Sequence, residues 1–230
     1  MKTIIKTLGI ITLLILTITS LNAQKLGNFG SLTSKKVGPK TIVIPYTDVV
    51  TYLGYATAGT EDEVKEGKKF YYIYVWIPAV APEIGVRMMS PAGDVDAKEP
   101  IVSPDYTSNI DSEDYFDTYI TLEKSDIKSK DNISEELVKT AKWTTLEQND
   151  DSGDMPKDPG GNSYNSLLRY KSDSSDPLKA LTVGLYRIGF TTYKTGEVNG
   201  TFIAQLAAPI KLPGVAVAKT IEDLLLQFDK

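Results

Sequence analysis

The run Glu147 to Asp158, EQNDDSGDMPKD, sets Glu147, Asp150, Asp151, Asp154 and Asp158 against one cation, Lys157, in a chain with no histidine and no cysteine. Without imidazole or thiolate the chain offers a metal only oxygen, and oxygen-only sites select hard cations such as Ca²⁺ or Mg²⁺ over zinc, copper or iron. The same absence excludes Ser-His-Asp and Cys-His catalysis. The run does not follow the EF-hand series, because no Asp-x-Asp-x-Asp-Gly leads to a glutamate at the right distance. Two carboxylates about 6 Å apart in water repel by only about 0.7 kcal/mol, so the run also makes sense as a solvated acidic loop. Asp117 with Asp150 supplies the two carboxylates that glycoside hydrolysis requires, yet no apolar surroundings in the sequence mark either as held protonated.

These carboxylates need a scaffold, and the N-terminus is not part of it. Lys2 and Lys6 precede an apolar stretch from Leu8 to Thr19, followed by Ser20, Leu21, Asn22, Ala23 and Gln24, the layout of a secretory signal peptide over residues 1–23. The stretch is shorter than the about 20 apolar residues a bilayer span needs. Removing it takes away two lysines and moves the net charge from −5 to −7. That balance argues against nucleic acid or an anionic membrane surface as the main partner. Residues 24–230 are expected to form a single domain, and at that size roughly 70% of the unfolded surface is buried, so disulfides are not needed. An exported protein that resides at the cell surface, in the periplasm or outside the cell follows.

Periodicity favours strands. Phe116 to Glu123 alternates, with Phe116, Thr118, Ile120 and Leu122 on one face and Asp117, Tyr119, Thr121 and Glu123 on the other, which predicts a half-buried strand. From Phe70 to Ile77 both faces are apolar, and the aliphatic side (Ile73, Val75 and Ile77, with Tyr71) is expected inward at the centre of a sandwich. Leu181 to Tyr193 and Val198 to Leu206 read as a hairpin with a four-residue loop, and Asn199-Gly200 as a tight backbone position within it. Further strands are predicted at Thr41 to Pro45, Val49 to Ala56, Ile84 to Met89 and Tyr164 to Tyr170. Asp131 to Lys142 groups Ile133, Leu137, Val138 and Ala141 on one helical face. Thr220 to Phe228 does the same behind a Thr220 and Asp223 capping pair. The expected fold class is mainly β, an antiparallel sandwich of jelly-roll type with a few short covering helices.

Several strings resemble the leptospiral major surface lipoprotein family: YYIYVWIPAVAPEIGVRMMSP from Tyr71, FDTYI from Phe116, YNSLLR from Tyr164 and GLYRIGFTTYKTGEVNGTF from Gly184. PYTDVVTYLGY from Pro45 is similar with more changes, and together these cover most of Pro45 to Leu206 in one collinear order. The resemblance implies a calcium-binding jelly roll and a matrix-binding surface protein. It also implies a calcium site built from Asp117 and Thr118, from Asp150 and Asp151, and from Tyr164. Neighbours on a strand point to opposite faces, so Thr118 is expected to contribute its backbone carbonyl. Two departures stand out: Gln148, Asn149, Ser152 and Gly153 dilute what is an aspartate run in the family, and no cysteine is available for acylation.

The expected function is therefore a non-enzymatic, exported, calcium-binding module with an extracellular-matrix-type protein as ligand. The alternatives are a carbohydrate-binding or weakly carbohydrate-active sandwich and a structural envelope component. For the carbohydrate reading, Phe70, Tyr72, Tyr74 and Trp76 could form a stacking platform, against which stands ordinary packing of that face. No transmembrane segment is expected, and the sequence does not set the oligomeric state. The sequon Asn199-Gly200-Thr201 reads as incidental.

Overall fold

The computed structural model describes residue 26, residues 29–93 and residues 97–228; the expected leader, 1–23, lies outside them. In chain order the strands are β1 (Gly30–Val37), β2 (Lys40–Pro45), β3 (Asp48–Ala56), β4 (Glu63–Lys65), β5 (Lys68–Ile77), β6 (Glu83–Met89), β7 (Ile101–Val102), β8 (Tyr119–Ser125), β9 (Trp143–Asn149), β10 (Ser166–Lys171), β11 (Gly184–Thr191), β12 (Gly200–Ala208) and β13 (Ala216–Ala218). Short helices are α1 (Pro104–Ser108), α2 (Glu135–Thr140) and α3 (Ile221–Leu226).

Two sheets face each other. One runs β10-β6-β12-β3-β7 and the other β13-β5-β11-β8-β9, with β4 paired to β5, while β1 and β2 form a separate ribbon. All pairings are antiparallel except the short β3–β7 pair at one edge, which is parallel. Inward-facing residues of both sheets fill one core: Tyr71, Ile73, Val75 and Ile77 from β5, Ile188 and Phe190 from β11, Val86 and Met88 from β6, and Phe202, Ala204 and Leu206 from β12. The alternation of side chains along each strand brings these residues together. Phe190 and Phe202 meet across the two sheets at 4.8 Å between ring centroids, and Phe116 packs on both. The mainly β sandwich expected from the sequence, with a few short helices, is what forms.

The predicted hairpin does not. β11 pairs with β5 and β8, whereas β12 pairs with β3 and β6 in the opposite sheet. The connection crosses the sandwich, because both strands are buried along their whole length and each needs partners on both sides. Gly200 is indeed a tight position, but the cause is a long-range approach. At φ +136° a Cβ there would lie 2.3 Å from the carbonyl oxygen of Asp114, so only glycine fits. Asn199 next to it donates to Asp114 Oδ2 at 2.7 Å and accepts from Ala58 N–H at 3.3 Å.

The outer face of the β13-β5-β11-β8-β9 sheet explains two further departures. Phe116 to Glu123 is more than half buried, since Thr121 and Glu123 on its second face are buried as well, while Asp117 and Tyr119 there are partly exposed. Arg187 lies over them, its guanidinium 3.6 Å from the Tyr72 ring centroid and 4.1 Å from that of Trp143, with Nε donating to Glu123 Oε2 at 2.6 Å. Tyr72 OH in turn donates to Glu63 Oε2 at 2.7 Å. Of the four aromatics that could form a platform, Phe70, Tyr72 and Trp76 are buried, Phe70 and Tyr72 under Lys65, Tyr72 also under Arg187, and Trp76 against Phe228, while Tyr74 is partly buried beside Trp143; they offer no open row of rings. The helical reading of Asp131 to Lys142 holds over α2, with Ser134 capping Leu137 N–H, but Leu137 itself is exposed while Ile133 and Val138 are buried. Thr220 caps α3 as its place predicts: its hydroxyl oxygen accepts from Asp223 N–H at 3.1 Å and its O–H donates to Asp223 Oδ2 at 2.8 Å.

Candidate functional site

The acidic run leaves the end of β9 and returns to β10, so both of its ends are fixed by edge strands of opposite sheets. Glu147 belongs to β9 and turns back to accept from Gln148 N–H. Asp154 pairs with Arg169 at 3.3 Å. Asp158 is buried and accepts from Asn162 N–H at 2.7 Å and Asn162 Nδ2 at 3.2 Å, which closes the loop's own turn. The Asp150 carboxylate accepts from its neighbour, Asp151 N–H, at 2.8 Å, so Asp154 and Asp158 are the acids of the run held by more distant side chains.

Asp117 lies just before β8 rather than on it, because the strand begins at Tyr119. Thr118 is fixed by β10: its N–H donates to the Tyr164 carbonyl at 2.9 Å, and its hydroxyl reaches the same carbonyl at 3.1 Å and Ser166 Oγ at 2.9 Å. The Ser166 hydroxyl is oriented toward two carbonyl oxygens at once, those of Thr118 and Asp150. Thr118, Asp150, Tyr164 and Ser166 therefore meet around two adjoining hydroxyls, those of Thr118 and Ser166. Asn165 secures the loop from the other side, accepting from Ser90 N–H at 3.0 Å, donating to the Pro156 carbonyl at 2.7 Å, and receiving Ser152 N–H on its own carbonyl at 3.0 Å.

The electrostatics show Asp117 to lie close to this group. Burial, followed by the charges of Asp151, Asp150 and Asp158, pushes its pKa up to about 6, against a small opposing effect of Lys68. Burial and then Asp150 raise Asp151 too, and burial followed by Asp150 raises Tyr119. Asp117 Oδ1 is buried with no hydrogen-bond partner. A buried carboxylate oxygen left unpaired among like charges is destabilising on its own. Such an arrangement becomes favourable when it holds a proton or a cation.

Of the five sequence-predicted ligands, the structure joins Thr118, Asp150 and Tyr164 by hydrogen bonds through Thr118 and Ser166, and places Asp117 and Asp151 near enough to Asp150 for their like charges to repel. Tyr164 enters through its carbonyl, while its ring is 39% exposed. Among the described residues no group of three or more acidic side chains is gathered closely enough to hold a metal by itself. A cation here would need backbone or hydroxyl oxygens beside the carboxylates, a mixture that calcium accepts. The orphaned Asp117 oxygen and the all-oxygen surroundings fit that group. Sequence reading missed Ser166 and Asn165, both fully buried polar residues at the start of β10; their only signal was their place beside the matched tyrosine.

Among the described residues no helix is long and apolar enough to cross a membrane. No curated protein matches the chain. Residues 40–217, most of the chain and all of the site, match the family model described as surface lipoprotein of Spirochaetales order. The chain therefore belongs to this family of exported, cell-surface spirochaete proteins.

Proposed function

We propose that this protein is a calcium-dependent, non-enzymatic binding module of the cell surface. In this reading Asp117, Asp150 and Asp151 supply carboxylate oxygens, and Thr118 and Tyr164 supply oxygens from the β8–β10 junction. The observation that carries the reading is the buried, partnerless Oδ1 of Asp117 beside Asp150 and Asp151. A bound Ca²⁺ would draw together and neutralise these three mutually repelling carboxylates and fix the acidic loop against two edge strands. The family resemblance supports an extracellular-matrix-type protein as the ligand of the edge so ordered. Three of the four aromatics that a carbohydrate reading would use, Phe70, Tyr72 and Trp76, are buried.

A ligand that binds only the folded state stabilises it by RT ln(1 + [L]/Kd), about 2.7 kcal/mol at 100 times Kd. Wild type is therefore expected to melt several degrees higher in excess calcium than in chelator, and Asp150→Ala with Asp151→Ala to melt alike in both. Equal wild-type melting temperatures would remove the calcium site. The ligand is tested separately, by binding of the full chain to immobilised matrix proteins in calcium and in chelator.

A further inference from the structure

The β1–β2 ribbon stands apart from the sandwich. Its base is tied down by Glu83, which is buried in β6 and accepts from Ser31 Oγ and Leu32 N–H at 2.8 Å and from Tyr46 OH at 2.7 Å. Arg169 adds a hydrogen bond to the Gly30 carbonyl at 2.7 Å, and the Tyr46 ring lies where a side chain on Gly85 would be, 2.6 Å from its Cβ position. Beyond this base every residue from Leu32 to Val43 is exposed.

The register places four residues on one face of the ribbon's outer half. Lys35 is opposite Ile42 and Val37 is opposite Lys40, so two lysines and two aliphatic side chains alternate in a checkerboard. Val37 and Ile42 are 52% and 51% exposed. Residues 26–47 contain Lys35, Lys36 and Lys40 and no acid, within a chain of net charge −5. Lysine alone would suffice to discourage edge-to-edge pairing; uncovered valine and isoleucine between the lysines work against that purpose. An interfacial contact explains both, because aliphatic groups enter the headgroup boundary while lysine stems lie along it and carry their ammonium groups to phosphate.

We infer that the outer half of this ribbon docks on an anionic phospholipid surface, with Val37 and Ile42 inserted and Lys35 and Lys40 against lipid phosphates. The acidic sandwich is then held off the surface by a stalk rooted at Glu83. The overall charge balance, which argues against such a surface as a partner for the whole molecule, does not apply to this segment.

The test is co-sedimentation of the full chain with vesicles of phosphatidylcholine containing phosphatidylglycerol, and with phosphatidylcholine alone. Residues 1–23 are common to all variants, so differences between variants report the ribbon. Each lysine near an anionic surface contributes roughly fivefold to partitioning. Lys35→Glu with Lys40→Glu is expected to lower binding to the anionic vesicles by more than 25-fold on that scale, and Val37→Ser with Ile42→Ser to weaken it at unchanged salt dependence. An Ile42→Trp variant should show blue-shifted emission on the anionic vesicles only. Melting temperatures equal to wild type confirm that these exposed positions leave the fold intact. Equal partitioning of wild type and the charge-reversed variant would overturn the inference. So would a concentration-dependent dimer that the same variants abolish without any vesicle binding, which would make the ribbon an interface between copies.

Discussion

Replacing Asp117 by asparagine should change the sign of its effect with the metal content of the buffer. A carboxyl whose folded pKa lies above its unfolded value binds its proton more tightly when folded. It therefore favours folding below the unfolded pKa of about 3.9, and that contribution is lost as the pH rises through about 6. A shift of about two units corresponds to about 3 kcal/mol at 1.36 kcal/mol per unit, and screening at this partly exposed position reduces it to about 1–2 kcal/mol. In chelator near neutral pH, where wild type must keep the carboxylate charged, Asp117→Asn should thus be more stable by about 1–2 kcal/mol. For a chain of this size that is a rise of roughly 2–8 °C in melting temperature. In excess calcium the order should invert, because wild type gains about 2.7 kcal/mol at 100 times Kd and the variant loses a ligand. The assay is a thermal melt of both proteins at pH 5 and near 7.5, with calcium and with chelator. If the variant is destabilised in chelator at neutral pH, and the difference between the two proteins does not depend on pH, the account of Asp117 as an unpaired carboxylate is wrong.

Three other substitutions probe the scaffold. Gly200→Ala should lower stability by about 3 kcal/mol or more, since it combines a left-handed φ with a clash against the Asp114 backbone; chemical denaturation measures it, and a loss under 1 kcal/mol would contradict the close approach. Arg187→Ala should cost somewhat less than the about 3–5 kcal/mol of a fully orphaned buried charge, because Glu123 keeps Lys65 at 3.6 Å, whereas Arg187→Met, with Glu123→Leu, should recover much of that loss in the same denaturation assay. Ser166→Ala should cost about 1–3 kcal/mol by stranding the Thr118 and Asp150 carbonyls, and should weaken calcium binding measured by titration calorimetry, although Ser166 is not among the proposed carboxylate ligands.

The sandwich was legible where alternation is backed by side chains of one character. β5 announced its inner face through Tyr71, Ile73, Val75 and Ile77, and α3 announced its start through Thr220 and Asp223. The connection between β11 and β12 was not legible, because two wholly buried strands a few residues apart look the same whether they pair with each other or cross to opposite sheets. β9 was missed since Trp143 to Asn149 is an edge strand of polar character, and β1 was missed for a similar reason. At the site, residue types and family resemblance pointed to the five residues, but the division of labour among the acids depended on long-range partners. Arg169 takes Asp154 and Asn162 takes Asp158, and neither pairing has a sequence signature. The face of β8 that carries Glu123 looked solvated until Arg187, from a strand more than sixty residues later, was seen to lie over it.

The most direct measurement is a crystal structure of the calcium-loaded protein. The account predicts a single peak of density within about 2.3–2.6 Å of carboxylate oxygens from Asp117, Asp150 and Asp151, with further oxygens from Thr118 and Tyr164 completing the shell. A structure grown in saturating calcium in which Asp117 Oδ1 faces only water, or in which the ion sits elsewhere on the acidic loop, would contradict it.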